Sequence, residues 1–293
     1  MSVRTSPRTM AVRVDALEAR RIVVRLRARW DDCDAYGHVN NATYLSLARA
    51  AADEGLAALG ARDALVGARL ADVELSYREP IRAGEAIDIR LHVAESDFSA
   101  LGLSFEFEVG GNSRARAAAR WVRGPDPLVA ELDPPDRDAG GKPFVTTHRV
   151  RSYEAAIGGD AKPTAVLHWL EDAIFLAAER VGWTRARMRE ASFVALQVGH
   201  HLSLGAPAPT GECVRIESRL IDVRRVSGTW RHEVRRSDGD VVALDDSRGA
   251  FLGVDGLVRP APRAMLDALL TGADAPGARS DAAGRLAHNA LTL

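Results

Sequence analysis

Apolar and polar residues alternate along Ile87-Asp88-Ile89 and again along Val214-Arg215-Ile216, the two-residue period of a half-buried strand. The same run precedes both. Leu75-Ser76-Tyr77-Arg78-Glu79-Pro80-Ile81-Arg82-Ala83-Gly84-Glu85 and Leu202-Ser203-Leu204-Gly205-Ala206-Pro207-Ala208-Pro209-Thr210-Gly211-Glu212 share the pattern L-S-x-x-x-P-x-x-x-G-E at an offset of 127 residues. Tyr44-Leu45-Ser46-Leu47-Ala48-Arg49-Ala50 aligns with Val166-Leu167-His168-Trp169-Leu170-Glu171-Asp172 at an offset of 122. The chain reads as two copies of one unit.

Each copy reads as strand, turn, helix and four further strands. In the first, strands are expected at about 22–30, 69–78, 85–95, 100–109 and 113–123, with a helix at 41–59. In the second they fall at about 144–152, 192–204, 212–223, 228–237 and 241–254, with a helix at 164–182. Leu167, Leu170, Ile174, Ala178 and Val181 form a core stripe on that second helix. The first helix is rich in Ala and sets Tyr44, Leu47, Ala51 and Leu59 on one side. Along 192–204 the alternation places Val194, Leu196, Val198, His200, Leu202 and Leu204 on one face, and Gln197, His201 and Ser203 on the other.

One helix lying on a strongly curved antiparallel sheet is an α+β unit. A lone copy leaves a sheet edge and an apolar flank open, so two copies in one chain are expected to meet about a pseudo-twofold axis as an internal pseudo-dimer. The expected organisation is an N-terminal arm at 1–21, one unit at 22–123, a Pro/Gly/Asp linker at 124–143, a second unit at 144–260, and a short helix with a tail at 261–293.

Composition narrows the functional classes. A formal net charge of −1 argues against nucleic acid or a membrane surface as partner. Apolar residues make up 46% and charged residues 27%, as in soluble globular chains. Cys33 and Cys213 give neither a disulfide framework nor zinc spacing, and no apolar run precedes the first strand, so a cytoplasmic protein is expected. Exposed sheet edges leave room for a homodimer or larger assembly.

The chemistry concentrates in Asp31-Asp32-Cys33-Asp34-Ala35-Tyr36-Gly37-His38-Val39-Asn40-Asn41-Ala42-Thr43-Tyr44-Leu45. An acid-rich turn with a Gly, followed by Asn-Asn opening a helix, brings a carboxylate, an imidazole and a helix N-terminus together. Helix N-termini carry unpaired N–H groups and partial positive charge, which suit a developing oxyanion. A nearby Asp suits nucleophilic or general-base work. The pattern points to acyl transfer.

These residues resemble the signature of hotdog-fold thioesterases of the 4-hydroxybenzoyl-CoA thioesterase-like group. The resemblance covers residues 22–123 and recurs more faintly over 144–254, as in tandem hotdog proteins such as the acyl-ACP thioesterases. It implies two hotdog units and hydrolysis of an acyl thioester of CoA or acyl carrier protein, with no metal or organic cofactor. By position, Asp34 would attack or activate water, and Asn41 would offer its backbone N–H to the thioester carbonyl. His38 and Asn40 would line the same turn, with Tyr36 and Tyr44 beside substrate.

Each residue also has a plainer reading. Asp34 forms turns well, Asn40 and Asn41 cap helices well, and His38 can brace the turn. Cys33 reads as buried rather than nucleophilic. The second copy departs from the pattern, with Ala156 opposite Asp34 and Lys162-Pro163 opposite Asn40-Asn41. Pro163 lacks the N–H donor, so the second turn reads as inactive. In compensation, Glu171 stands where the first copy has Arg49, and His200 where it has Val73. A composite site follows, with Asp34 and the Asn41 amide facing Glu171 or His200 across an apolar tunnel between the copies. Two rivals remain: a hotdog hydratase or dehydratase, whose usual motif has a Pro that is missing between Asp34 and His38, and a non-catalytic acyl-thioester binder.

Overall fold

The computed structural model describes residues 22–96, 99–124 and 140–272. The expected N-terminal arm, most of the linker and the far tail lie outside the described residues. Ten strands form one antiparallel sheet: β1 (Ile22–Arg27), β2 (Arg69–Tyr77), β3 (Ala86–Ser96), β4 (Ala100–Val109), β5 (Asn112–Val122), β6 (Phe144–Arg149), β7 (Val194–Leu204), β8 (Cys213–Arg224), β9 (Ser227–Arg235) and β10 (Val241–Leu252). The helices are α1 (Thr43–Ala58), α2 (Pro163–Arg180), the short α3 (Arg185–Glu190) and α4 (Arg263–Thr271). The sequence pattern did not single out α3, whose arginine-rich surface buries no residue and offers no apolar stripe.

Strand order across the sheet is β1-β3-β4-β5-β2-β7-β10-β9-β8-β6. Read inward from either edge, the two halves have the same order, and β2 joins β7 at the centre. Glu74 and His201, which the 127-residue offset makes equivalent, pair with each other there. Val73 pairs with Leu202 and Leu75 with His200, so the pairing maps onto itself when the halves are exchanged. That is the signature of a local twofold relation. Gly199 permits it: a Cβ at this position would lie 2.6 Å from the Leu75 carbonyl oxygen.

Helix α1 packs on β1 and β3, α2 on β6 and β8, and the two helices touch each other. One continuous apolar core runs from Val24 through Leu56, Ile89, Phe107, Leu167 and Leu202 to Val234. A second cluster seats α4 through Met265 and Leu269 against Val181, Trp183, Phe193 and Phe251.

The alternation expected along β7 needs correction. A bulge opposite Arg248 and Gly249 shifts the register between Gln197 and Gly199. An inserted residue reverses the facing of everything before it. Leu196 is consequently 43% exposed, whereas the Gln197 side-chain oxygen is buried. Beyond the bulge the expected pattern holds: His200 and Leu202 are buried and His201 is exposed.

Candidate active site

The turn that leads into α1 is fixed by its own polar groups. Asp34 Oδ1 accepts the N–H groups of Tyr36 (2.8 Å) and His38 (3.1 Å). Its backbone N–H donates to His38 O, and Gly37 at φ 75° donates back to Asp34 O. Positive φ is the reason a Gly sits in this turn. Asn40 N–H donates to Asp32 O, Asn40 Oδ1 accepts from Ala42 N–H (2.9 Å), and Asn40 O accepts from Thr43 N–H. None of these turn bonds uses the Asn41 N–H, and the Asn41 carbonyl accepts the Tyr77 hydroxyl at 3.0 Å. Asn40 is therefore the capping side chain, and Asn41 presents backbone.

Asp32 is the buried acid of the turn, clamped by the Arg29 backbone and guanidinium, whose hydrogen bonds hold its carboxyl below the usual range. Asp34 is exposed, as is Tyr36 at 69%. His38 and Cys33 are half-buried, which corrects the expectation that Cys33 is enclosed. Desolvation and the neighbouring Asp32 and Asp34 charges raise the Cys33 thiol, so it stays protonated and poorly nucleophilic. Tyr44 is buried with its ring 5.2 Å from both Tyr77 and Phe107, and burial raises its hydroxyl pKa.

The second half repeats the backbone bonds of the turn. Ala156 N–H donates to Asp160 O, Gly159 N–H to Ala156 O, and Lys162 N–H to Glu154 O. Glu154 takes the place of Asp32, accepting from Arg151 N–H, His148 and Trp169. These bonds put Ala156 where Asp34 is and Pro163 where Asn41 is. The geometry of the turn survives without the acid and the donor.

A polar group lies inside the second half where the first half is apolar. His200 Nδ1 donates to Asp245 Oδ2 at 2.9 Å, and both side chains are fully buried. His232 bonds Ser218 Oγ at 2.8 Å through Nδ1 and Ser247 Oγ at 3.1 Å through Nε2, again in the core. Strand pairing makes the equivalents of His200, Ser218, His232, Asp245 and Ser247 the buried Val73, Leu91, Phe105, Ala117 and Ala119. Desolvation opposes protonation of His200, but Asp245 and Glu171 outweigh it and raise the imidazole. Burial raises Asp245 too, against the pull of His200. Desolvation and the His200 charge push His232 down to about 3, so it is neutral.

His200 reaches the first half through Tyr77, whose ring centroid is 6.1 Å away, edge on. Tyr77 is thus in contact with both His200 and the start of α1. Glu171 on α2 acts on both rings: after burial, which is the larger cause, its charge raises the Tyr77 hydroxyl, and it adds to Asp245 in raising the His200 imidazole. Three buried atoms of this group make no hydrogen bond within the protein: His200 Nε2, Asp245 Oδ1 and Glu171 Oε1. Tyr77 thus touches Asn41, Tyr44 and His200, the Glu171 charge is felt at Tyr77 and His200, and Asp34 and Tyr36 are exposed.

A cavity of about 1260 Å3 lies on the other side of the pseudo-symmetry. Leu45, Arg49, Trp121, Pro163, Leu204 and Val242 are among its walls, so both halves contribute. It lies at the second turn, and none of the expected site residues lines it.

Residues 28–122 match the thioesterase-like superfamily. Solved structures share the fold over most of the chain. A protein assigned as an oleoyl thioesterase from Lactobacillus plantarum has a TM-score of 0.64 at 14% identity, covering 84% of this chain and 100% of that one. An acyl-ACP thioesterase from Bacteroides thetaiotaomicron has a TM-score of 0.57 at 11% identity, over 79% and 97% of the two chains. The 12:0-ACP thioesterase from Umbellularia californica has 0.58 at 9%, over 84% and 97%. No curated protein matches the sequence.

Sequence reasoning found the turn but missed Tyr77 and, in the second half, Asp245, Ser218, His232 and Ser247. A readable signal existed for Asp245. Leu244-Asp245-Asp246 interrupts an apolar strand with two acids, and alternation allows only one of them to face water. Asp246 is the outward one, paired with Arg231 at 2.7 Å.

Proposed function

We propose that the protein hydrolyses an acyl thioester to a free acid and a thiol at a site built on the turn before α1. The observation that carries this reading is the Asn41 N–H, left out of the turn's hydrogen bonds at the start of a helix, on the same turn as Asp34. A thioester carbonyl placed at that N–H gains a hydrogen bond and the field of α1 as its oxygen becomes negative. Asp34 is the acid of the site. Its Oδ1 is held by two backbone donors, which orients the carboxylate toward attack or toward a water molecule. His38, Asn40, Tyr36 and Tyr44 shape the turn and its floor, and Glu171 and His200 close the site from the second half.

In this reading each half is one hotdog unit, with boundaries near 22–123 and 144–260, and the pair is an internal pseudo-dimer with a single working site. Two observations support it: the repeated strand order and the Glu74–His201 pairing on the local twofold. The carrier is CoA or acyl carrier protein, since a pantetheine thioester is the group both present.

The test is release of free thiol from a panel of short, long and aromatic acyl-CoAs and acyl-ACPs. Turnover of at least one of them is expected, with a marked loss in Asp34→Asn. Absence of thiol release from every ester, by a folded protein, would overturn the reading.

A further inference from the structure

At five buried positions the second half carries polar side chains where the equivalent residues of the first half are apolar, and two of the five form an Asp–His pair. Burying a carboxylate and an imidazole costs several kcal/mol unless each is bonded. The Nδ1–Oδ2 contact of 2.9 Å satisfies one side of each group and leaves His200 Nε2 and Asp245 Oδ1 without protein partners. Buried polar atoms in native folds are seldom left unpaired, and a catalytic role is one of the reasons an exception persists. Nε2 is the atom that an Asp-held imidazole presents to a reacting group.

The neighbours of His200 are specific. Asp245 and Arg248 approach from β10, Glu171 from α2, Tyr77 from β2 and His232 from β9. Asp245 and Glu171 favour the imidazolium, Arg248 opposes it, and His232 is neutral. Tyr77 connects the ring to the start of α1, the place that the thioester-hydrolysis reading gives to the carbonyl.

We propose that His200, held by Asp245, is the general acid of the site and gives its Nε2 proton to the departing thiolate. This rests on the thioester-hydrolysis reading and adds a group to it. Water adds its oxygen to the carbonyl carbon while its proton passes to Asp34, and the carbon–sulfur bond then breaks. The sulfur leaves with the bonding electron pair and takes the proton from Nε2. The proton held by Asp34 then passes through solvent to His200, so both groups are restored and the sum is thioester plus water to acid plus thiol. Releasing a bare thiolate beside two carboxylates would be strongly unfavourable, and protonation at that moment removes the cost. Asp34 and His200 then divide the labour of base and acid, one exposed and the other buried.

The experiment is the pH dependence of kcat/KM for thiol release from the best ester of the panel, in wild type, Asp245→Asn and His200→Gln. Wild type is expected to lose activity on the alkaline side, above about pH 6.5, as the imidazolium deprotonates. In Asp245→Asn that limb should move to lower pH, because the group that raises it is gone. His200→Gln should lose the limb and about 10² of rate. An aryl thioester with an acidic leaving thiol needs no proton, so it should restore most of the His200→Gln rate, which a merely structural histidine would not allow. Turnover with an unmoved limb and no recovery on the aryl thioester overturns the dyad and leaves the hydrolysis reading standing. No thiol release from any ester by wild type overturns both. Should His200→Gln fail to fold, the limb in the near-isosteric Asp245→Asn decides alone.

Discussion

Asn41 and Pro163 stand at the same point of the same turn, each at the entrance to its helix, and only Asn41 has an N–H to offer. The fold already accepts proline at this place, since α2 begins on Pro163 with helical geometry. Asn41→Pro is therefore expected to leave the fold intact and to remove one donor. Thiol release should fall by about 10²–10³ in kcat, the cost of losing one oxyanion-hole donor. Asn41→Ala keeps the N–H and should stay near wild type. Equal losses in both would place the function in the side chain instead.

Asp34→Asn is the parallel test of the acid. The amide Oδ1 can still accept from Tyr36 and His38, so the turn keeps its bonds. Stability should change by less than about 0.5 kcal/mol. Turnover should drop by roughly 10² or more, because an amide neither attacks nor takes a proton. A drop in melting temperature matching the drop in rate would return Asp34 to a turn-former.

The string Ser218–His232–Ser247 predicts an acid sensitivity. His232 is depressed to about 3 in the folded chain, against roughly 6.5 when unfolded. Between those values the unfolded state binds the extra proton, so stability falls as pH falls through that window. The loss at the bottom of it is on the order of 5 kcal/mol. Replacing all three, as Ser218→Ala, His232→Phe and Ser247→Ala, follows the apolar character of the first half and removes the unpaired partners together. Urea unfolding from pH 7 to pH 4 should show a smaller loss in this variant than in wild type.

Gly199→Ala tests the junction of the halves. A Cβ there would meet the Leu75 carbonyl oxygen at 2.6 Å and an Arg248 guanidinium nitrogen at 2.9 Å. The arginine can swing away, whereas the backbone of β2 cannot. Destabilisation of about 1–3 kcal/mol is expected. Unchanged unfolding would mean that β2 and β7 hold each other less closely than the register implies.

The sequence by itself determined the elements and the turn. Strand alternation, the helix stripes and the repeat at 122 and 127 residues are local patterns, and local hydrogen bonds hold the run from Asp32 to Thr43 together. Asp34, Asn40 and Asn41 were legible for that reason, because their partners lie within a few residues. His200 was legible as an oddity on an apolar face, but its partner was not. Asp245 is 45 residues away, and only the pairing of Leu202 with Asp245 across β7 and β10 brings the two side chains together. The same holds for Ser218, His232 and Ser247, which meet because three neighbouring strands share one inward face. Gln197 was assigned to the wrong face because a bulge is a matter of ladder register, which period-two counting along one strand cannot detect. The position of the large cavity at the second turn was likewise settled by how the two halves pack. Contacts between residues far apart in the chain belong to tertiary structure, and the buried acid–base pair is made of them.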